Sequence, residues 1–127
     1  MSLKPGLDWQ ARLHQLNDAF TVKDDTNGLN GAAIVQTQGV LTLGAATALA
    51  LTLAAPVSGL PENGGQDGQV LRIVASTAQA YTITTPSNVL NGNKHIATFA
   101  SAVGNGITLV AKAGVWIVAE NQNVTLT

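Results

Sequence analysis

The closing stretch of the chain, NGITLVAKAGVWIVAENQNVTLT from Asn105 to Thr127, decides the fold class. Apolar and polar residues alternate along it, a period of two that indicates β-strands with one buried face. Residues 111–114, AKAG, interrupt the alternation and are typical of a tight turn. The stretch therefore predicts an antiparallel ribbon with Trp116 on one face. It holds one carboxylate, Glu120, and no serine, cysteine or histidine, so it offers no obvious catalytic group.

The same period extends upstream and predicts further strands. Val, Ile and Thr dominate most of these segments, as is typical of pleated, half-buried strands. Nine strands are predicted in all, at residues 33–36, 40–43, 48–53, 70–75, 80–85, 96–99, 107–111, 115–119 and 124–126. We therefore expect a mainly β fold, a compact antiparallel β sandwich, roll or small barrel with a short N-terminal helical arm.

Turn signals separate the predicted strands. Asn-Gly pairs accept positive φ angles and mark hairpin turns, and Asp-Gly behaves in the same way. Residues 56–69, PVSGLPENGGQDGQ, form the longest turn-like stretch, and we expect them to be an exposed loop. The Asn-Gly pairs begin at Asn27, Asn30, Asn63, Asn91 and Asn105, and one Asp-Gly pair begins at Asp67.

The N-terminal residues have a different pattern. In DWQARLHQLNDAF, from Asp8, the residues Trp9, Leu13, Leu16 and Phe20 follow at steps of four, three and four, the spacing of one helical face. Asp8 suits the N-cap position, and TNGLNG at residues 26–31 ends the helix. The predicted division is an N-terminal arm with a short helix over residues 1–31 and a β-rich domain over residues 32–127. The apolar stripe of the arm is the predicted partner or oligomer contact.

Charge is scarce in this chain. Only 10% of its residues are charged, against about 25% in ordinary globular domains, and none lies between Asp25 and Glu62. We expect such a surface to be covered by oligomerisation or by docking on a larger body. The net charge is -1 without a basic cluster, which argues against nucleic-acid binding. Cysteine is absent, which excludes disulfides, thiolate metal sites and thiol catalysis.

A membrane-spanning segment is not expected. Residues 39–60, GVLTLGAATALALTLAAPVSGL, are uncharged and long enough to cross a bilayer as a helix. They instead divide into two pieces of period two, residues 40–43 and 49–53, and this pattern favours strands. The N-terminal MSLKPG lacks the apolar core of a signal peptide, so Sec export is not expected.

No constellation of residues predicts chemistry. His14 and His95 lie in separate segments, and neither has a set of companions at metal-ligand spacing. Glu62 and Asp67 flank a glycine-rich loop, but calcium loops of the EF-hand type need several acidic positions at fixed offsets. We therefore expect no catalytic residue, no metal, no cofactor and no small-molecule substrate. A small hydrolase acting through Glu62, Asp67 or His95 is the weak enzymatic alternative.

The aromatic residues of the β-rich part have two interpretations. Core packing is favoured for Tyr81, Phe99 and Trp116, because large aromatic side chains normally dominate cores. Stacking on a sugar is the alternative, and it requires Trp116 or Tyr81 to be exposed on a common face.

A family resemblance appears in DGQVLRIVASTAQAYTITTP at residues 67–86, followed by NGNKHIATFASAVGNGITLVAKAGVWIVAENQNVTLT at residues 91–127. The order of Asp-Gly, an apolar strand, Thr-x-Thr-x-Pro, Asn-Gly, Ala-Thr-Phe and Gly-x-Trp resembles that of small β-rich structural proteins of tailed bacteriophages. Head decoration proteins, also called cement proteins, are the most similar group. With the upstream strands included, the likeness covers roughly residues 40–127.

The resemblance implies a function and a location. Decoration proteins of this kind are typically homotrimers that bind the major capsid protein between capsomers and stabilise the head. The resemblance therefore predicts a structural protein on the capsid surface of a virion assembled in the bacterial cytoplasm, without nucleic-acid or membrane partners. The alternative is a tail fibre or spike domain that binds a receptor or a carbohydrate.

Overall fold

The computed structural model describes residues 22–24 and 33–127, and the described chain forms two five-stranded β-sheets packed face to face. The mainly β, sandwich-like fold predicted from the sequence is confirmed. In chain order, the described strands are β1 (Val22–Asp24), β2 (Ala33–Ile34), β3 (Gly39–Leu43), β4 (Ala50–Leu53), β5 (Val70–Ala75), β6 (Thr82–Thr84), β7 (Ile96–Phe99), β8 (Gly106–Lys112), β9 (Val115–Gln122) and β10 (Val124–Leu126). A single 3₁₀ turn, Pro61–Asn63, interrupts the loop after β4.

Strand order is matched between the two layers. Sheet A has the order β1-β3-β5-β8-β9, and sheet B has the order β2-β4-β6-β7-β10. From β1 to β6 the chain alternates between the sheets, and each of these strands lies parallel to its neighbour two strands away in sequence. The last four strands pair antiparallel. The first half of the chain therefore winds as a coil around the core, and the second half extends both sheets.

The coil has a regular repeat that one loop interrupts. Val22 pairs with Val40, an offset of 40 − 22 = 18 residues, whereas Gly39 pairs with Leu71, an offset of 71 − 39 = 32. The difference, 32 − 18 = 14, equals the number of residues in the loop predicted at residues 56–69. The loop is therefore an insertion into the coil, and it leaves the pairing on either side unchanged.

The sheets are mixed, whereas the sequence predicts antiparallel pairing throughout. The difference arises because consecutive strands of the first half cross between layers, so they do not fold back as hairpins. All nine predicted strands are present, three of them with the predicted bounds: Val70–Ala75, Ile96–Phe99 and Val124–Leu126. Sequence analysis missed β1, which has only three residues, two of them charged.

Residues 39–60 form strands β3 and β4, as their period of two predicts. In the part of the chain that the structure describes, no helix is long and apolar enough to cross a membrane. The predicted helix from Asp8, with its stripe of Trp9, Leu13, Leu16 and Phe20, lies outside the described residues, as does His14.

The core lies between the sheets and contains the three aromatic residues predicted for it. Tyr81, Phe99 and Trp116 are each at most 1% exposed. The rings of Tyr81 and Phe99 meet edge to face, with centroids 6.3 Å apart. The indole Nε1 of Trp116 donates a hydrogen bond to the backbone oxygen of Ala54 at 3.0 Å, which satisfies the one polar atom of this buried side chain.

Two corners of the coil are stacked through side-chain hydroxyls. Tyr81 Oη donates to the backbone oxygen of Ala45 at 3.0 Å, and Thr77 Oγ1 donates to the same oxygen at 2.7 Å. The two hydroxyls also contact each other. Gln79 extends the contact by donating from Nε2 to the backbone oxygen of Ala46. These bonds hold the β3–β4 corner against the β5–β6 corner.

Turn chemistry explains most connections but not the one at Asn105. Asn91 and Gly92 both have positive φ, as the Asn-Gly signal predicts, and so do Ala113 and Gly114 between β8 and β9. Asn105, by contrast, is 2% exposed, and its Nδ2 donates to the backbone oxygen of Ala100. It anchors the preceding loop from a buried position, so the prediction of a hairpin turn there is wrong.

Removing the Tyr81 hydroxyl tests the stacked corners. Tyr81→Phe keeps the ring and deletes one member of the hydroxyl group, so we expect a loss of about 1 kcal/mol in the free energy of unfolding, measured by urea denaturation. Thr98→Val, which deletes an outward hydroxyl, is the matched control and is expected to change stability by less than about 0.5 kcal/mol. Equal stability of Tyr81→Phe and the unaltered chain would contradict this role.

Candidate interaction surfaces

The outer face of sheet B is rich in threonine and carries no charge. Its outward side chains are called the threonine face here. They are Ala33, Ala50, Thr52, Thr82, Thr84, Ile96, Thr98 and Thr125, placed by the alternation of buried and exposed residues along each strand. Five of these eight side chains are threonine, and none is ionisable. The face is therefore a sheet surface of methyl and hydroxyl groups.

Register places these side chains in two rows across the sheet. In one row Thr98 is paired with Thr82 on one side and with Thr125 on the other. In the other row Thr84 lies between Thr52 and Ile96. Neighbouring strands of a sheet are about 4.8 Å apart, so each row presents regularly spaced side chains. Such a face can pack on another flat surface without desolvating a charge.

Sequence analysis did not identify the threonine face. A signal was present, because Thr52, Thr82, Thr84, Thr98 and Thr125 each lie between apolar residues in predicted strands. Each strand shows only one or two of them, however. They become one surface only when the order and register of the strands are known.

The outer face of sheet A is more apolar and is called the valine face here. Its outward side chains are Val40, Val70, Val74, Val110, Val115 and Ile117, together with Thr42, Arg72, Thr108 and Glu120. Val70, Val110 and Ile117 form one row across β5, β8 and β9. Val70 is 45% exposed and Ile117 is 42% exposed, so the described residues leave this row partly open to solvent. Arg72 lies near its centre and donates from Nη1 to Thr108 Oγ1 at 2.8 Å.

The predicted uncharged stretch between Asp25 and Glu62 supplies exposed apolar side chains as well as core. Its described part, residues 33–61, forms β2, β3, β4 and the first half of the following loop. Val35, Val57 and Leu60 in this part are all more than half exposed. Charge depletion therefore coincides with apolar side chains that the described chain leaves uncovered.

The loop at residues 56–69 is exposed, as predicted, and it is also held in place by hydrogen bonds. Asp67 is its anchor, because Oδ1 accepts a hydrogen bond from the backbone N–H of Ala113 at 2.9 Å and Oδ2 lies 3.6 Å from Lys112 Nζ. The Ala113 N–H is the main cause that lowers the pKa of the Asp67 carboxyl below its usual value of 3.8, and Lys112 contributes. This carboxylate is a structural link between the loop and the β8–β9 hairpin.

The residues considered for hydrolysis or calcium binding lie in separate environments. Glu62 is exposed on the 3₁₀ turn, Asp67 is engaged with the hairpin, and His95 is exposed beside β7. No group of three or more potential metal-ligating side chains occurs in residues 22–24 and 33–127. An open groove of about 490 Å³ beside the loop has Asp67 as the one ionisable residue in its lining. The described geometry therefore brings no acid–base pair together.

The feature required for sugar stacking is not met, because Trp116 and Tyr81 are buried in the core. The predicted contact residues Trp9, Leu13, Leu16 and Phe20 lie outside the described part of the chain, so their role as partner contacts stays a prediction.

Comparison with known proteins adds no relative. No protein-family model matches the chain, and no curated protein is significantly similar to it.

The Asp67 anchor predicts a dependence of stability on pH. A folded pKa below the unfolded value stabilises the fold above that unfolded value, and the contribution is lost as the pH falls through the folded value. We expect Asp67→Ala to lower the urea midpoint at pH 7, and we expect the difference from the unaltered chain to shrink below about pH 4. Glu62→Ala, in the same loop but exposed, is the control and should change little. A difference for Asp67→Ala that persists unchanged at pH 2 would contradict the electrostatic link.

Proposed function

We propose that this protein is a structural protein of a bacteriophage virion, a capsid decoration protein that forms a homotrimer and stabilises the head between capsomers of the major capsid protein. The observation that carries the proposal is the threonine face, an uncharged surface presented by a β body with a continuous core. The similarity of residues 67–127 to small phage structural proteins supports the same role.

Mechanical stabilisation of a shell needs a body that does not deform. Stacked corners, an anchored loop and a core of aliphatic and aromatic side chains make the described domain such a body. It also needs contact area that is inexpensive to desolvate. Burying hydroxyls and methyl groups costs less than burying charges, because hydroxyls can find hydrogen-bond partners across the contact.

The threonine face is assigned to subunit or shell contacts in this proposal, and the exposed Val35, Val57 and Leu60 extend the contact area around it. A standard protein–protein interface removes roughly 800 Å² from each partner, which one face of a five-stranded sheet and its neighbouring loops can supply. Many copies of a modest contact around a shell add up to substantial stabilisation.

The tail fibre or spike alternative has less support. Sugar binding through Trp116 or Tyr81 would require these rings to leave the core, where each is at most 1% exposed. Receptor binding through another surface stays possible only as a variant of the same structural class, since the described residues bring no acid–base pair or metal-ligand group together.

Charges placed on the threonine face test the proposal. Thr84 and Thr125 are exposed and lie on strands separated by β7, so Thr84→Glu with Thr125→Glu adds charge without opposing the two carboxylates directly. We expect this variant to bind at least tenfold more weakly in subunit association or in co-sedimentation with expanded phage heads that lack their decoration protein, because a desolvated charge costs more than 1.4 kcal/mol.

The matched control is Ser87→Glu with Ser101→Glu, which adds the same charge at exposed loop positions. Unaltered association and head binding by the Thr84 and Thr125 variant, with both variants folded, would contradict the assignment of this face. Failure of the unaltered chain to associate or to bind heads would overturn the proposed function itself.

A further inference from the structure

We propose that residues 8–20 of the chain dock as a helix on the valine face of their own subunit, with Trp9, Leu13, Leu16 and Phe20 against the row of Val70, Val110 and Ile117. This inference goes beyond the proposed function and does not depend on it. It assigns an occupant to the apolar outer surface of sheet A and leaves the threonine face for other subunits or the shell.

The valine face has the character of a surface that another element covers. Six of its ten outward side chains are Val or Ile, and neighbouring strands bring Val70, Val110 and Ile117 side by side. An apolar row at the centre of a sheet, bordered by polar side chains, is typical of a contact surface. The threonine face of the same molecule has one Ile and two Ala among eight positions, so the two outer faces differ in what they can bind.

The position of the chain determines which occupant is nearest. Phe20 ends the predicted stripe, and one residue separates it from β1, the edge strand of sheet A. The inner side of that sheet is filled by the core, so the outer side is the adjacent apolar surface. Because the connection is so short, the effective concentration of the stripe at its own sheet is in the millimolar range, which favours contact within the subunit.

The dimensions also agree. Residues 8–20 would form a helix of about 20 Å at a rise of 1.5 Å per residue. Four spacings between five strands give a sheet about 19 Å wide, and the seven residues of β8 extend about 23 Å. A helix of this length therefore fits the face in either direction. Its four apolar residues span three helical turns, which is enough to cover the row of Val70, Val110 and Ile117.

The two tryptophans of the chain make the docking measurable. Trp116 is buried in the core, so Trp116→Phe leaves Trp9 as the single reporter in the full-length chain. We expect Trp9 in this variant to emit at short wavelength and to be protected from acrylamide quenching. Adding Val70→Glu and Ile117→Glu should shift the emission towards that of free tryptophan and raise the quenching constant several-fold.

The matched control is Val57→Glu with Val103→Glu, which places the same charges on two exposed apolar residues outside sheet A. It should leave Trp9 emission unchanged, and circular dichroism should show that every variant remains folded. Long-wavelength Trp9 emission before any charge is added would overturn the proposal. Equal red shifts in the sheet A variant and in the control would also overturn it.

Docking on another copy is tested by mixing subunits. The variant with Val70→Glu and Ile117→Glu is combined with an excess of chains that carry Trp9→Phe and Trp116→Phe on an unaltered sheet A. Emission that stays at long wavelength supports docking within the subunit. A return of short-wavelength emission assigns the stripe to a neighbouring copy and overturns the proposal. The association and head-binding measurements are separate, so failure of this inference and failure of the proposed function are distinguishable.

Discussion

The burial of every second side chain between two sheets is the constraint on which the rest of this structure depends. Leu71, Ile73, Ile107 and Leu109 of sheet A point inward, and so do Leu51, Ile83 and Phe99 of sheet B. Because the side-chain period of a strand is two, a slip of one residue in any strand would move its leucines to solvent and its threonines into the core. Register is therefore strongly specified, and the composition of both outer faces follows from it.

The coil of the first six strands explains how so short a chain closes its core. Parallel neighbours need crossover connections, and here each connection passes through the opposite sheet, so the crossovers are themselves strands. The corners stack through Tyr81 and Thr77 on Ala45, and the inserted loop is held to the β8–β9 hairpin through Asp67. The corners and the inserted loop are thereby fastened to neighbouring elements, which gives the two outer faces a rigid support.

Much of the fold was predictable because alternation is a local property. Strands such as Val70–Ala75 and Ile96–Phe99 carry their period in four to six residues, and the aromatic core of Tyr81, Phe99 and Trp116 follows from size and apolarity. Pairing direction was not predictable, because alternation determines which face of a strand is buried but not which strand lies beside it. The three-residue β1 is too short and too polar to show a period.

The interaction surfaces were predictable only in part. The lack of charge between Asp25 and Glu62 indicated a covered surface, and the structure places Val35, Val57 and Leu60 of that stretch on the outside. The threonine face combines residues from strands that are distant in sequence, so no local pattern reveals it. Asn105 shows the opposite case, in which a strong turn signal serves as a buried hydrogen-bonding group because its neighbour Gly106 lies close to the backbone of Ile73.

A protein whose outer faces are short of charge and whose described residues bring no acid–base pair or metal-ligand group together is suited to assembly. The proposed role in a virion head depends on that suitability, with contacts spread over many copies of one small domain. The most direct measurement of the central claim is the mass of the unaltered chain in solution by size-exclusion chromatography with multi-angle light scattering. The account predicts a trimer of about 39 kDa, three times the chain mass of 13.0 kDa. A monomer of 13.0 kDa at every accessible concentration would contradict it.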